Sequence, residues 1–163
     1  MAITKLVADS ITSGAIANTP SFFARKTTTQ SLSNDTNTLV TFDTEDFDTD
    51  SAFASSRFTV PSGKAGKYFI YSACYFQPNA EANLSYAQAN IYKNGSIYHH
   101  VNNDFRSYRI FTFTSINSTI IDLDVGDYIE IYAFTSGTST VNLEDDNGRV
   151  DRMNVFYGYK ILE

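Results

Sequence analysis

The sequence predicts an all-β domain, a two-sheet antiparallel sandwich, on three observations. Apolar and polar residues alternate with a period of two from Phe22 onward, turn-forming residues punctuate these runs at short intervals, and helical periodicity is absent after residue 20. At 163 residues the chain has the size of one ordinary domain, long enough to bury a core without disulfides or a structural metal. Its composition changes near Pro20: no aromatic residue precedes Phe22, whereas the 13 Phe and 11 Tyr recur in every apparent strand after it but residues 118–123. Residues 1–19 are therefore read as an N-terminal arm and residues 20–163 as the sandwich. The arm carries Ile3, Leu6, Val7, Ile11 and Ile16 at loosely helical spacing among small polar residues. That pattern is too weak for a stable free helix and leaves two readings, a flexible or strand-like extension and an arm that docks on a partner.

The strands follow in order. Phe22-Phe23-Ala24-Arg25 opens the sandwich, then Leu39-Val40-Thr41-Phe42 and Arg57-Phe58-Thr59-Val60, the latter closed by Pro61-Ser62-Gly63. Residues 68–76 form a long strand, and residues 86–98 form a hairpin turning at Asn94-Gly95, the strongest short-range hairpin signal in the chain. Residues 108–114 and 118–123 read as two further strands. Val125-Gly126-Asp127 reverses the chain into residues 128–134, and Asp146-Asn147-Gly148 marks a turn before the last strand, residues 155–162.

Two of these strands lack a face suited to water. In residues 68–76 one face reads Tyr68, Ile70, Ser72, Cys74, Phe76 and the other Phe69, Tyr71, Ala73, Tyr75. The last strand sets Val155, Tyr157, Tyr159 and Ile161 against Phe156, Gly158, Lys160 and Leu162. One apolar face can fill the sandwich core; the second needs another surface, and at this length the chain has little spare segment to supply one. Self-association is expected, with Tyr68, Tyr71, Tyr75, Tyr157 and Tyr159 as interface candidates.

The rest of the composition narrows the function classes. A net charge of −6 offers no phosphate-neutralising surface, so nucleic acid is not an expected partner. No run is long enough to span a bilayer as a helix and no signal-peptide pattern opens the chain, so membrane insertion is not expected either. Cys74 is the single cysteine and reads as a small core residue. No Gly-x-Ser-x-Gly elbow, His-Glu-x-x-His pair or glycine-rich phosphate loop is present.

Several segments together carry a family resemblance: Phe22-Phe23-Ala24-Arg25, Val40-Thr41-Phe42-Asp43, Arg57-Phe58-Thr59-Val60-Pro61, Gly66-Lys67-Tyr68-Phe69-Ile70-Tyr71, Ile91-Tyr92-Lys93-Asn94-Gly95, Leu123-Asp124-Val125-Gly126-Asp127 and Phe156-Tyr157-Gly158-Tyr159. In this order they resemble the globular head of complement component one, q subcomponent, within the tumour-necrosis-factor-like superfamily, over residues 22–162. The resemblance implies a jelly roll of about ten strands, a tight homotrimer held by aromatic-rich strands, function by binding, and no catalytic activity. Neither a collagen-like Gly-X-Y repeat nor a secretory leader accompanies it here. The opening Met1-Ala2-Ile3-Thr4-Lys5-Leu6-Val7-Ala8-Asp9-Ser10-Ile11, with Asn18-Thr19-Pro20-Ser21-Phe22-Phe23, is similar to the leader of structural proteins of marine tailed bacteriophages. It implies a non-enzymatic virion protein (capsid decoration, head fibre or tail-fibre tip) assembled in the host cytoplasm. Its partners would be two further copies, other virion proteins reached through the arm, and a host surface glycan if the module is adhesive. The alternative is a soluble lectin or signalling module of cellular origin.

No cofactor is expected. The acidic run Asp43, Glu45, Asp46, Asp48 and Asp50 supplies the calcium candidates, but it lacks the spacing of a calcium loop, and a solvated acidic segment is the plainer reading. Adjacent His99 and His100 point to opposite faces of a strand and do not chelate together. Arg106, Arg109, Arg149 and Arg152 stand in polar segments, where surface salt bridging is the plain reading and carboxylates of a neighbouring subunit or a ligand the sharper one.

Overall fold

The computed structural model describes residues 18–79, 84–137, 139–144 and 153–161. These residues form strands and no helix: β1 (Ser21–Arg25), β2 (Gln30–Leu32), β3 (Thr38–Leu39), β4 (Thr44–Asp48), β5 (Phe53–Ala54), β6 (Arg57–Thr59), β7 (Gly66–Pro78), β8 (Leu84–Lys93), β9 (Ser96–His99), β10 (Asn103–Asp104), β11 (Phe113–Leu123), β12 (Tyr128–Gly137), β13 (Val141–Leu143) and β14 (Val155–Lys160). Six of them are only two or three residues long, which accounts for the excess over the ten expected. All pairings are antiparallel and fall into two sheets. The first runs β2-β13-β7-β14-β1-β4 with β11 on the other edge of β7; the second runs β10-β8-β12-β6-β5 with β3 against β12 and β9 against β8.

Alternation decides which residues meet between the sheets. Phe22, Phe58, Tyr68, Ile70, Phe76, Ile91, Ile121, Leu123, Ile129, Ile131 and Phe156 are buried there. Phe22 is the hub, stacked on Phe58 at 4.7 Å and on Phe53 at 5.2 Å, with Phe156 edge-on at 4.9 Å. Such offset and edge contacts add to what burial alone contributes. Cys74 is fully enclosed, and burial pushes its thiol up to about 12. It is expected to resist a thiol-exchange reagent in the native state and to react only as the protein unfolds; rapid native labelling would show that β7 is open at that point.

The Asn94-Gly95 hairpin forms as predicted, both residues at positive φ (52° and 78°), the geometry that matches strand twist. It is clasped to the 124–127 turn: Asn94 Nδ2 donates to Asp127 Oδ1 at 2.7 Å, the Tyr128 amide donates to Asn94 Oδ1, and Lys93 pairs with Asp127 at 2.7 Å.

Three strand expectations are corrected. Of Leu39-Val40-Thr41-Phe42 only Leu39 lies in a strand; Val40 still donates its amide to the Ile131 carbonyl at 2.9 Å, and Val40 and Phe42 are buried in the core. Residues 108–112 are not strand; Tyr108 is 86% exposed at a turn. Residues 113–114 and 118–123, read as parts of two strands, belong to one, since β11 runs unbroken from Phe113 to Leu123. Ser115 and Asn117 point inward there: the Ala89 amide donates to Ser115 Oγ and Asn117 Nδ2 donates to the Ala89 carbonyl. Two side chains of β11 thus satisfy the β8 backbone across the sandwich, as buried polar groups require.

Candidate self-association surface

The outer face of the first sheet is built by the same alternation that fills the core. Its central row crosses four strands in register, Phe47 on β4, Phe23 on β1, Tyr157 on β14 and Tyr71 on β7, with Ser118 on β11 beyond. A second row runs Ser21, Tyr159, Phe69, Ile120, and a third Arg25, Val155, Ala73, Ile116. The rings touch one another: Tyr157 stacks on Tyr71 at 4.6 Å and on Phe23 at 5.2 Å, Phe69 packs on Tyr159 at 5.4 Å, and Phe23 leans on Phe47 at 6.2 Å. Cross-strand aromatic pairs of this kind fix register as well as adding stability.

This face remains open to water within one chain. Phe47, Ile116 and Ile120 are each half or more exposed, and Tyr159 is 38% exposed. Crowding by the neighbouring rings raises the Tyr157 phenol above its ordinary range, with the Tyr71 and Tyr159 phenols acting in the same direction. The result is a continuous six-ring apolar band flanked by two isoleucines, of the kind single-chain proteins rarely leave bare.

Among the sequence-based candidates, Tyr71, Tyr157 and Tyr159 lie in this band, and Tyr75 on the same face of β7 beside Thr114. Tyr68 is corrected: it faces the core, fully buried, its hydroxyl donating to the Lys64 carbonyl at 2.6 Å. It shares parity with Ile70 and Phe76, so it cannot share a face with Tyr71. Phe23, Phe47, Phe69, Ile116 and Ile120 were missed. Parity gave a usable signal for two of them, since Phe23 follows the inward Phe22 and Phe69 lies on the outer face already read for residues 68–76. The arm residues Ile3, Leu6, Val7, Ile11 and Ile16, the Asp145-Asp146-Asn147-Gly148 turn, Arg149 and Arg152 lie outside the described residues.

The acidic run does not gather into a cation site; each described carboxylate with a resolved partner has a different one. Asp46 pairs with Arg25 at 2.9 Å, Asp48 accepts the Phe53 amide, and Asp50 pairs with Lys64. Glu45 lies exposed on β4. Asp43 accepts the amides of Thr27 and Thr28 and both of their hydroxyls. Among the described residues no three His, Cys, Asp or Glu side chains converge as a metal set. His99 instead shares a 2.6 Å hydrogen bond with Asn117, and Arg106 grips Asp104 at 2.6 Å while lying over the Tyr86 ring.

Burial works to raise the Asp43 carboxyl, but the hydrogen bonds from Thr28, Thr27 and Thr44 outweigh it and hold the group down to about 2. A carboxyl lowered in the folded state stabilises fully above its unfolded value near 4 and loses that contribution as pH falls toward 2. Stability to urea should therefore drop between about pH 4 and pH 2, and Asp43→Asn should narrow the gap between the midpoints at pH 6 and pH 2.5. An unchanged gap would show that Asp43 is not a stabilising acceptor.

A two-sheet antiparallel sandwich whose first sheet turns an aromatic face outward defines a jelly-roll module. Comparison with known proteins agrees at the level of fold. No protein-family model matches the chain, and no curated protein matches it. Among solved structures the globular domain of zebrafish complement 1qA protein superposes with a TM-score of 0.58 at 15% identity, covering 88% of this chain and 98% of that one. Murine APRIL superposes with a TM-score of 0.58 at 11% identity, covering 86% and 98%. The chain thus has the jelly-roll fold of complement-head and tumour-necrosis-factor-like domains.

Proposed function

We propose that the chain is the subunit of a homotrimeric, non-enzymatic binding module, closed through the outer face of the first sheet. The observation that carries this is the aromatic band of Phe47, Phe23, Tyr157, Tyr71, Phe69 and Tyr159. Burying such rings removes apolar area worth about 25 cal/mol per Å², and their phenol groups find partners at the rim of the contact. Three copies around one axis cover three such faces without leaving a growing end. The fold likeness to a complement head and to APRIL supports the same reading. Hydroxyl-radical footprinting of the intact protein should leave Phe47 and Tyr159, 50% and 38% exposed on a single chain, protected relative to Tyr98, 48% exposed on the second sheet's edge. Modification of Phe47 at the rate expected from its single-chain exposure would refute the assembly.

The biological setting we propose is the particle of a tailed bacteriophage, with residues 1–19 as the attachment arm and the sandwich as a capsid decoration, head fibre or tail-fibre tip. Support for it comes from the leader sequence. Antibody labelling of purified particles from the source should mark regularly spaced sites; label confined to the soluble fraction would favour a cellular lectin or signalling module instead.

A further inference from the structure

The outer face of the second sheet differs from that of the first in carrying charge at its centre. Register sets Arg57 on β6, Glu130 on β12 and Tyr92 on β8 in one row. Ile129 and Ile131 turn into the core, so Tyr128 and Tyr132 flank Glu130 on the outer face, and Leu39 of β3 lies opposite Tyr132. Arg57 donates from Nε and Nη2 to the same carboxylate oxygen, Glu130 Oε1, at 2.9 and 2.7 Å, and its guanidinium lies 3.9 Å over the centre of the Tyr128 ring. Tyr92 and Tyr132 pack on each other with ring centres 4.1 Å apart. The two outer faces of a sandwich point in opposite directions, so this one stays open when the aromatic band of the first sheet is covered.

Glu130 is the informative group. Its side chain is only 5% exposed, and a carboxylate drawn so far out of water is costly unless it is fully paired. Yet one of its oxygens receives both arginine bonds. Oε2 has no partner among the described residues and still reaches water, since the enclosed atoms left unpartnered there are Ser72 Oγ, Asn90 Oδ1 and Ser139 Oγ. The Arg57 side chain is 44% exposed and commits two of its five N–H donors to Glu130. The row therefore offers a ligand an acceptor at Oε2, donors on the guanidinium and a wall of two tyrosine rings.

Charge narrows the choice. The Arg57–Glu130 pair is neutral as a whole, so an anion entering it meets the carboxylate and a cation meets the guanidinium. A hydroxyl both donates and accepts, so neighbouring hydroxyls on one ring satisfy Oε2 and the guanidinium together. A pyranose adds an apolar C–H face that can lie against the tyrosine wall, leaving its other hydroxyls in water.

We propose that this row binds a neutral hexopyranose unit of a glycan, its C–H face against Tyr92 and Tyr132 and two neighbouring hydroxyls on Glu130 Oε2 and the Arg57 guanidinium. The site is complete within one chain. It rests on the binding half of the proposed function and not on the assembly, although three copies on one particle would multiply a weak contact into a firm one.

The test is an NMR titration of the intact protein with the methyl glycosides of glucose, galactose, mannose and N-acetylglucosamine, with methyl glucuronide and guanosine as the charged and the flat-ring controls. At least one neutral glycoside should shift the amides of Tyr92, Glu130 and Tyr132 saturably and bind tighter than either control. Glu130→Gln should weaken that binding about ten-fold, the loss of a hydrogen bond to a charged acceptor. Tyr132→Leu, apolar but without the ring, should weaken it by a similar factor, each variant keeping a native amide spectrum away from the row. Three results would each overturn the proposal: no saturable shift of these amides with any neutral glycoside, tighter binding of a control, or undiminished binding by the two variants. Light scattering on the same sample separates this site from the assembly: an intact trimer that binds no sugar loses the site alone, and a single-chain mass that binds sugar loses the assembly alone.

Discussion

Tyr157→Asp is expected to convert the assembled protein into monomers or aggregates while Tyr157→Phe remains assembled. Tyr157 lies at the centre of the band, stacked between Phe23 and Tyr71, so whatever covers the face covers this ring first. A carboxylate placed there must either be buried without a partner or keep the interface wet. The cost is on the order of 3 kcal/mol per contact, more than roughly a hundred-fold in each pairwise association constant. Phenylalanine keeps the apolar ring and loses only the hydroxyl. Sedimentation of both variants at equal concentration reads the difference, and a Tyr157→Asp protein that sediments as the native one does would remove the outer face from the interface.

Gly158→Ala should lower the melting temperature by roughly 10 °C, from overpacking of about 3 kcal/mol. Gly158 stands on the inner face between Phe22 and Ile70, its register partners on β1 and β7. A Cβ at that position would sit 2.8 Å from the Ile70 Cδ1, 2.8 Å from the Phe69 carbonyl oxygen and 3.2 Å from the Phe22 ring. The Ile70 methyl can yield; the Phe69 backbone cannot move without parting the ladder. Ile70→Val, which deletes that methyl, should therefore recover part of the loss in the double variant, a non-additivity expected of touching residues. A melting temperature within about 1 °C of the native value for Gly158→Ala would mean that β14 does not lie this close to β7.

The run Phe156-Tyr157-Gly158-Tyr159 shows what could be read from sequence. Its period of two separates a core face from an outer face, and both faces prove to be built that way. The same rule, applied with parity kept strictly, would have placed Tyr68 inside, since Tyr68 and Tyr71 differ by an odd number. Asn94-Gly95 was legible because only a turn at positive φ uses that pair so readily. Residues 115–117 fell outside both strands read from sequence because local polarity cannot tell a turn from an inward side chain that serves a neighbouring strand's backbone. That information lies in Ala89, 26 and 28 residues away. The aromatic band was half legible: the strands rich on both faces announced it, but Phe47 and the isoleucines of β11 join it only through pairing.

The central claim is that one subunit exposes more aromatic surface than water tolerates, so that three copies close over it. Light scattering on the purified 163-residue chain at micromolar concentration tests it directly. The expected mass is three times that of the 18.2 kDa chain, constant on dilution; a single-chain mass with an intact fold would show that the six-ring face is stable bare.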